Sequence, residues 1–195
     1  MVIILGKTCS GKDTIVNNLI DLHGFKKIVT STTRAMRKGE KQDVTYHFLS
    51  EEDFKQKIDE GYFVEYKTYD TEFGKWYYGT SLEDLENADD KSVIILTPDG
   101  YRDVVKKLSN RPTAIYIYAN NATIKKRLLK RGDNPNEAQR RLEHDNEDFK
   151  GIENEVDRIV YNNDGTNINE VVQKILRLIN DKTLWKNSKW RRIWY

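Results

Sequence analysis

The sequence predicts a three-layer α/β fold built on a parallel five-stranded sheet. Three observations carry that expectation. Apolar runs of strand length recur along the chain and alternate with amphipathic helical patterns. The runs are continuously apolar, as strands covered on both faces are. A glycine-rich turn follows the first run directly, where a strand passes into a helix.

The first strand is expected at Val2–Leu5, and Gly6-Lys7-Thr8-Cys9-Ser10-Gly11-Lys12-Asp13-Thr14 comes straight after it. Strand, glycine turn, lysine and helix start is the layout of a phosphate-gripping P-loop. Glycine lets backbone N–H groups approach an anion closely, and the next helix aims its unpaired N–H groups at the same place. Lys12 adds a mobile point charge. Its helix is expected over Lys12–Leu22, with Ile15, Leu19 and Leu22 as the buried face. Asp13 stands where Ser or Thr usually follows the lysine as a magnesium ligand. A carboxylate can bind Mg²⁺ directly or through water, so Asp13 is the candidate metal ligand, with the Thr14 hydroxyl beside it.

Further core strands are expected at Lys27–Thr30, Ser92–Thr97, Thr113–Tyr118 and Arg158–Tyr161. Helical patterns cover Tyr101–Leu108, Ala122–Lys130 and Ile168–Ile179. Residues 31–90 break this rhythm with short extended runs at Thr45–Leu49 and Phe63–Tyr69, a helix near Glu51–Glu60 and many tyrosines. That stretch reads as a mixed α+β lobe inserted into the core. A second, polar insertion runs from Arg131 to about Lys150. It opens with the turn Arg131-Gly132-Asp133-Asn134-Pro135 and continues as a charged helix. Few apolar residues anchor it, so mobility is expected there.

A chain of 195 residues fits one domain with small inserted lobes. With 33% charged and 37% hydrophobic residues, a soluble protein with a modest core is expected. The formal net charge of +2 gives no global reason to bind nucleic acid. Only the tail from Trp185 to Tyr195, with Lys186, Lys189, Trp190, Arg191, Arg192 and Trp194, could stack on and pair with a single strand. Tryptophans packed back on the body are the plainer reading of that tail. Cys9 is the only cysteine, which rules out an internal disulfide and points to a reducing, cytoplasmic setting. The first apolar run is too short for a signal or membrane segment.

Thr30-Ser31-Thr32-Thr33-Arg34-Ala35-Met36-Arg37 ends a strand with hydroxyls and two arginines three apart. Two guanidinium forks at that spacing can both face one small dianion. This is a second anion site, expected on the same sheet edge as the P-loop.

Thr32-Thr33-Arg34, Arg37, Gly39-Glu40, Tyr46, Phe48, Phe63, Glu65 and Tyr77-Tyr78-Gly79-Thr80 stand in the order and nearly the spacing of guanylate kinases. With the P-loop and Arg131-Gly132, the resemblance covers almost the whole chain before the tail. It implies a P-loop kinase fold in one domain, 1–184, followed by the 185–195 tail. Within it fall a CORE (1–30, 91–126 and 151–184), a GMP-binding lobe (31–90) and a small helical LID (127–150). It implies an ATP:GMP phosphotransferase of purine nucleotide metabolism that needs Mg²⁺ with its co-substrate ATP, accepts GMP and dGMP, and works as a monomer or homodimer.

The resemblance also assigns roles. Residues Gly6 to Thr14 would hold ATP. Arg127, Arg131 and Arg141, or Arg140 in place of the last, would reach over the triphosphate, and Asn162 would touch the adenine. Arg34, Arg37, Tyr46 and Tyr78 would hold the GMP phosphate. Glu65 would accept from guanine N1–H and the 2-amino group, with Thr80 and Asp99 assisting and Thr30 nearby. A carboxylate suits that edge, because adenine would leave it unpaired. Lys12, Arg37, Arg131 and Arg141 would act on the transferring group.

The chain departs from the family pattern in three places. Asp13 follows the P-loop lysine; Asp70-Thr71-Glu72-Phe73-Gly74 lengthens the stretch Thr68–Tyr78; and Thr97 replaces the first of an acidic pair. Two rival readings follow: a kinase for another phosphorylated acceptor, such as a deoxynucleotide or a ribose bisphosphate, and a non-catalytic phosphopeptide-binding module of the same fold. Retention of Gly6, Gly11 and Lys12 argues against the second.

Overall fold

A computed structural model describes residues 1–71 and 74–180, so the tail reading lies outside the described residues. Strand β1 (Val2–Leu5) is buried along its whole length. Val2 and Ile4 enter one apolar layer, Ile3 and Leu5 the opposite one. That two-sided burial is why the run carries no polar alternation. Helix α1 (Lys12–His23) starts at Gly11, with φ 92°, and stops at Gly24, with φ 68°. Both angles fall in the left-handed region that glycine occupies cheaply. Its buried face is Ile15, Val16 and Leu19. Leu22 departs from the expectation at 66% exposed, because it lies on the last turn, where the chain leaves the helix.

Of the expected strand Lys27–Thr30 only Lys27 is strand, and residues 28–30 link two sheets. β2 (Lys26–Lys27) joins the parallel sheet, while β3 (Ser31–Thr32) belongs to a second one. Between them the Ile28 N–H donates to the Val93 carbonyl, and the Thr30 carbonyl accepts from the His47 N–H. One run thus serves as the hinge between the sheets. β4 (His47–Phe48) is shorter than the expected Thr45–Leu49. Helix α2 (Glu51–Asp59) is capped by Ser50, whose Oγ accepts the Asp53 N–H at 3.0 Å. β5 (Phe63–Thr71) and β6 (Gly74–Ser81) form an antiparallel hairpin in which Glu65 faces Thr80, Lys67 faces Tyr78 and Tyr69 faces Trp76. β6 gave no strand signal of its own, since Gly74 and Gly79 interrupt its alternation.

After α3 (Leu82–Glu86) the chain re-enters the core through β7 (Ser92–Ile95) and α4 (Pro98–Lys107). The expected strand to Thr97 is cut short by a cap. Thr97 Oγ1 accepts the Gly100 N–H at 3.2 Å, and Pro98 opens the helix ahead of its apolar pattern. β8 (Thr113–Tyr118) leads to α5 (Asn121–Arg131), capped by Asn120. Asn134 caps α6 (Pro135–Asp148), and a 3₁₀ turn (Ile152–Asn154), β9 (Arg158–Tyr161) and α7 (Ile168–Asn180) complete the described chain.

The five-stranded sheet has the order β2-β7-β1-β8-β9 with every pairing parallel. Ile15, Leu19, Val172 and Ile175 cover one face from α1 and α7; Tyr101, Val104, Phe149 and Ile152 cover the other. The three layers are therefore as expected. The second sheet, β4-β3-β6-β5, mixes parallel and antiparallel pairs. Helix α6 buries Leu142 in a small cluster with Ala119, Ile124 and Leu128, and polar contacts supply the rest of its docking. No helix among the described residues is long and apolar enough to cross a membrane.

Candidate active site

The turn after β1 is built by steric necessity. A Cβ on Gly6 would stand 2.4 Å from Ser10 Oγ, and one on Gly11 would stand 2.3 Å from Asn162 Nδ2. Asn162 Nδ2 donates to the Ser10 carbonyl at 2.8 Å, and the Arg127 guanidinium donates to the carbonyls of Cys9 (3.1 Å) and Asn162 (3.0 Å). Both residues were expected on the nucleotide. They line the cavity but are engaged in pinning the loop from behind. Cys9 takes φ 52°, and burial raises its thiol pKa. Lys12 Nζ rests 3.3 Å from the Lys7 carbonyl.

Helix α6 closes on this loop. The Thr8 N–H donates to Asp145 Oδ2 at 2.5 Å, and Lys7 Nζ donates to Asn146 Oδ1 at 2.6 Å. Burial raises the Asp145 carboxyl pKa, with the Thr8 N–H and the Lys12 charge pulling the other way. Its carboxylate takes a backbone N–H of the glycine loop.

Beside the second sheet stand the paired arginines Arg34 and Arg37. Arg34 is only 4% exposed; its Nη2 donates to Glu40 Oε1 at 2.7 Å and its Nη1 to the Ala35 carbonyl at 2.7 Å. The Tyr46 and Phe48 rings flank it at 5.5 and 5.8 Å. Glu40 Oε2 also accepts the Arg37 N–H at 2.7 Å. The Arg37 guanidinium has no acidic hydrogen-bond partner among the described residues. Burial lowers its pKa, and Arg34, Arg141 and Arg131 push the same way, so four cations converge here. Burial also raises the Tyr46 hydroxyl pKa, which keeps it a donor.

Deeper in, Thr80 Oγ1 donates to Glu65 Oε1 at 2.5 Å. Burial raises the Glu65 carboxyl pKa against the pull of that hydroxyl. A Cβ on Gly100 would lie 3.1 Å from Glu65 Oε2, so the glycine leaves room for the carboxylate. Asp99 departs from its expected place beside the base. It does not line the cavity, and Arg102 (2.8 Å) and Lys67 (3.3 Å) take its carboxylate. Asp99 is the second residue of α4, and the cap residue Thr97 lines the cavity instead.

Over both sites lie the arginines of α5 and α6. Arg131 Nε donates to Asp133 Oδ1 at 2.6 Å. Arg140 and Arg141 both bond Glu137, at 2.8 and 2.6 Å, and hold its carboxyl down at about 2. Both line the cavity, so the choice between them stays open. Arg141 also lies over the Trp76 ring, and His144 meets Tyr69, which brings α6 against the second sheet.

These groups line one continuous cavity of about 850 Å³. It gathers the loop (Gly6, Thr8, Cys9, Gly11, Lys12, Asp13, Thr14), a cluster next to the second sheet (Thr30, Arg34, Arg37, Tyr46, Glu65, Tyr78, Thr80) and the arginines Arg127, Arg131, Arg140 and Arg141. The Lys7 and Ser10 side chains stay outside it; Ser10 Oγ is buried without a hydrogen-bond partner. The sequence reading missed Asp145, Lys67 and Tyr69 as lining residues, and it missed the bracing role of Glu40. Only Glu40 carried a signal, as a carboxylate beside two arginines.

Asp13 offers a carboxylate 72% exposed at the cavity mouth, with Thr14 beside it. Hard oxygens next to a phosphate site suit Mg²⁺, which takes one or two carboxylates and completes its shell with phosphate and water. Among the described residues no group of three or more His, Cys, Asp or Glu could hold a metal by itself. The donor set fits an ion shared with a nucleotide.

A family model described as guanylate kinase matches residues 1–182. The guanylate kinase of Campylobacter jejuni (strain RM1221) is 31% identical over 183 residues, covering 90% of this chain and 87% of that protein. That of Prochlorococcus marinus subsp. pastoris is 31% identical over 186 residues, covering 92% and 96%. The crystal structure of guanylate kinase from Anaplasma phagocytophilum superposes with a TM-score of 0.66 at 25% identity, covering 92% of this chain and 84% of that one.

Proposed function

We propose that the cavity of this chain, which belongs to the guanylate kinase family and phosphorylates GMP at the expense of ATP and Mg²⁺, holds the donor at the glycine loop and the acceptor on the second sheet. The observation that carries this placement is that loop, acceptor cluster and arginine roof line the same space. Phosphoryl transfer needs little covalent help; its charge-spread transition state needs positioning and preorganised positive groups.

Each residue then has a task. The loop N–H groups from Thr8 to Lys12 and the Lys12 ammonium hold the β- and γ-phosphates, and Arg127 and Asn162 keep the loop in shape. Asp13 would hold Mg²⁺, which supplies charge neutralisation between the phosphates when bound. Arg34, oriented by Glu40, and Arg37 neutralise the acceptor phosphate with Tyr46 and Tyr78. No side-chain base is needed, since that phosphate is already an anionic nucleophile. Arg131 and Arg141 lie over the transferring group, and α6 keeps competing water out. Glu65 takes the guanine donors, with Thr80 setting its orientation and Thr30 beside it. The same contacts would serve dGMP, which differs from GMP only at the ribose 2′-position, and dGMP is proposed as a second acceptor.

In this reading residues 1–30, 91–126 and 151–184 are the CORE, 31–90 the GMP-binding lobe and 127–150 the LID. The protein is proposed to work as a monomer or a homodimer. The half-buried thiol of Cys9 inside the loop accords with a cytoplasmic setting. The test is steady-state turnover of ATP with each nucleoside monophosphate, comparing the wild type with Lys12→Ala and Glu65→Ala. Loss of turnover in the first and a changed base ranking in the second are expected; an unchanged base ranking removes Glu65 from the base site.

A further inference from the structure

Lys67 lines the base end of the cavity, and the assignments above give it no task. It follows Glu65 by two on β5, so both side chains leave the same face of the strand. Glu65 is registered against Thr80 and Lys67 against Tyr78, one step closer to the acceptor phosphate cluster. From the facing helix α4, Asp99 Oδ2 lies 3.3 Å from Lys67 Nζ, and Asp103 Oδ2 lies 3.9 Å from it. Two carboxylates thus hold the ammonium in place and restrict where its third proton can point.

The acceptor base supplies a matching need. Along one edge guanine offers the 2-amino group and N1–H as donors, then O6 as an acceptor. A carboxylate takes the two donors but only repels O6. The Thr80 hydroxyl proton is already given to Glu65 at 2.5 Å, so it is not free for the base. An ammonium beside the carboxylate completes the complement, as lysine does when it donates to guanine O6 and N7 elsewhere. Adenine would set its 6-amino donor against that ammonium and leave Glu65 unpaired.

We infer that Lys67 is a specificity-determining residue that donates a hydrogen bond to the O6 acceptor of the substrate base and disfavours 6-amino bases. The inference rests on the reading that Glu65 and Thr80 face the base. Its Asp99 and Asp103 partners are then positioning residues, acting through Lys67.

The experiment measures kcat/KM for GMP and for 6-thioguanosine 5′-monophosphate, which keeps both donors but replaces O6 by a weaker acceptor. Wild type, Lys67→Met, Lys67→Arg and Glu65→Ala are compared. Loss of a hydrogen bond from a charged donor is worth about tenfold to hundredfold, so Lys67→Met is expected to lose that much on GMP, mainly in KM. It should lose under about threefold on the thio analogue, collapsing the oxo-to-thio preference, while Lys67→Arg recovers most of it. A preference equal in wild type and Lys67→Met overturns the inference and leaves Lys67 as a brace for α4. If Glu65→Ala leaves the ranking of GMP over AMP untouched, the base-site reading fails first, and that outcome is separately visible.

Discussion

Replacing Asp145 by Ala is expected to tighten nucleotide binding. In the structure the Thr8 N–H donates to Asp145 Oδ2 at 2.5 Å, and a backbone N–H has one proton to give. If that proton serves a phosphate oxygen, the carboxylate must leave first. A hydrogen bond to a charged group is worth about 1.5–3 kcal/mol. Burial raises the Asp145 carboxyl pKa, so part of that gain is already offset by desolvation. The net is about 1–2 kcal/mol, equivalent to about 5- to 30-fold in Kd. Calorimetric titration of wild type and Asp145→Ala with ADP, and with a non-hydrolysable ATP analogue, measures it. Thermal unfolding without ligand runs in parallel, and Tm should fall by about 2–4 °C per kcal/mol lost. The Lys7–Asn146 bond at 2.6 Å persists in the variant and keeps α6 near the loop. Unchanged or weaker nucleotide affinity together with a lowered Tm would refute the competition. Asp145 would then be shaping the loop for phosphate.

Gly11→Ala meets both a left-handed φ of +92° and a contact of 2.3 Å with Asn162 Nδ2. The backbone strain costs about 1–3 kcal/mol and the displaced Asn162–Ser10 bond about 1 kcal/mol. A stability loss of about 2–4 kcal/mol in urea unfolding and loss of nucleotide binding are expected; a variant as stable as wild type contradicts the loop geometry. The pH profile of KM for GMP reports on Glu65, whose carboxyl is raised above its ordinary 4.5 by burial. Affinity for guanine needs the ionised form, so KM should climb as pH falls through that raised value. Glu65→Gln should remove this limb, leaving only the titration of the GMP phosphate; a limb that persists assigns it elsewhere. For stability the sign is opposite. A raised folded pKa means stability declines as pH rises from 4.5 through the raised value, so Glu65→Gln should be no less stable than wild type at neutral pH.

What could be read along the chain was whatever repeats at short range. β1, β8 and β9 fall where the apolar runs placed them; β1 and the middle of β8 are buried on both faces, and such a run needs no partner to be recognised. The glycine loop was legible for the same reason: its chemistry is local, and Gly6, Gly11 and Lys12 are close neighbours. The proposed acceptor set stands in the sequence only through the family resemblance, which names residue types in order. Tertiary structure decided how these parts use one another. Asn162 was expected on a nucleotide, yet it holds a loop 152 residues away. Asp145, on a helix that read only as charged, reaches Thr8 137 positions back. Asp99 stays off the cavity wall, near the start of a helix that a threonine cap begins early, and Lys67 came to line the cavity through its register on a hairpin whose second strand was not foreseen. Periodicity tells which face of an element is apolar, but sheet order and helix docking determine what that face meets. Those depend on contacts between distant segments that no local window contains.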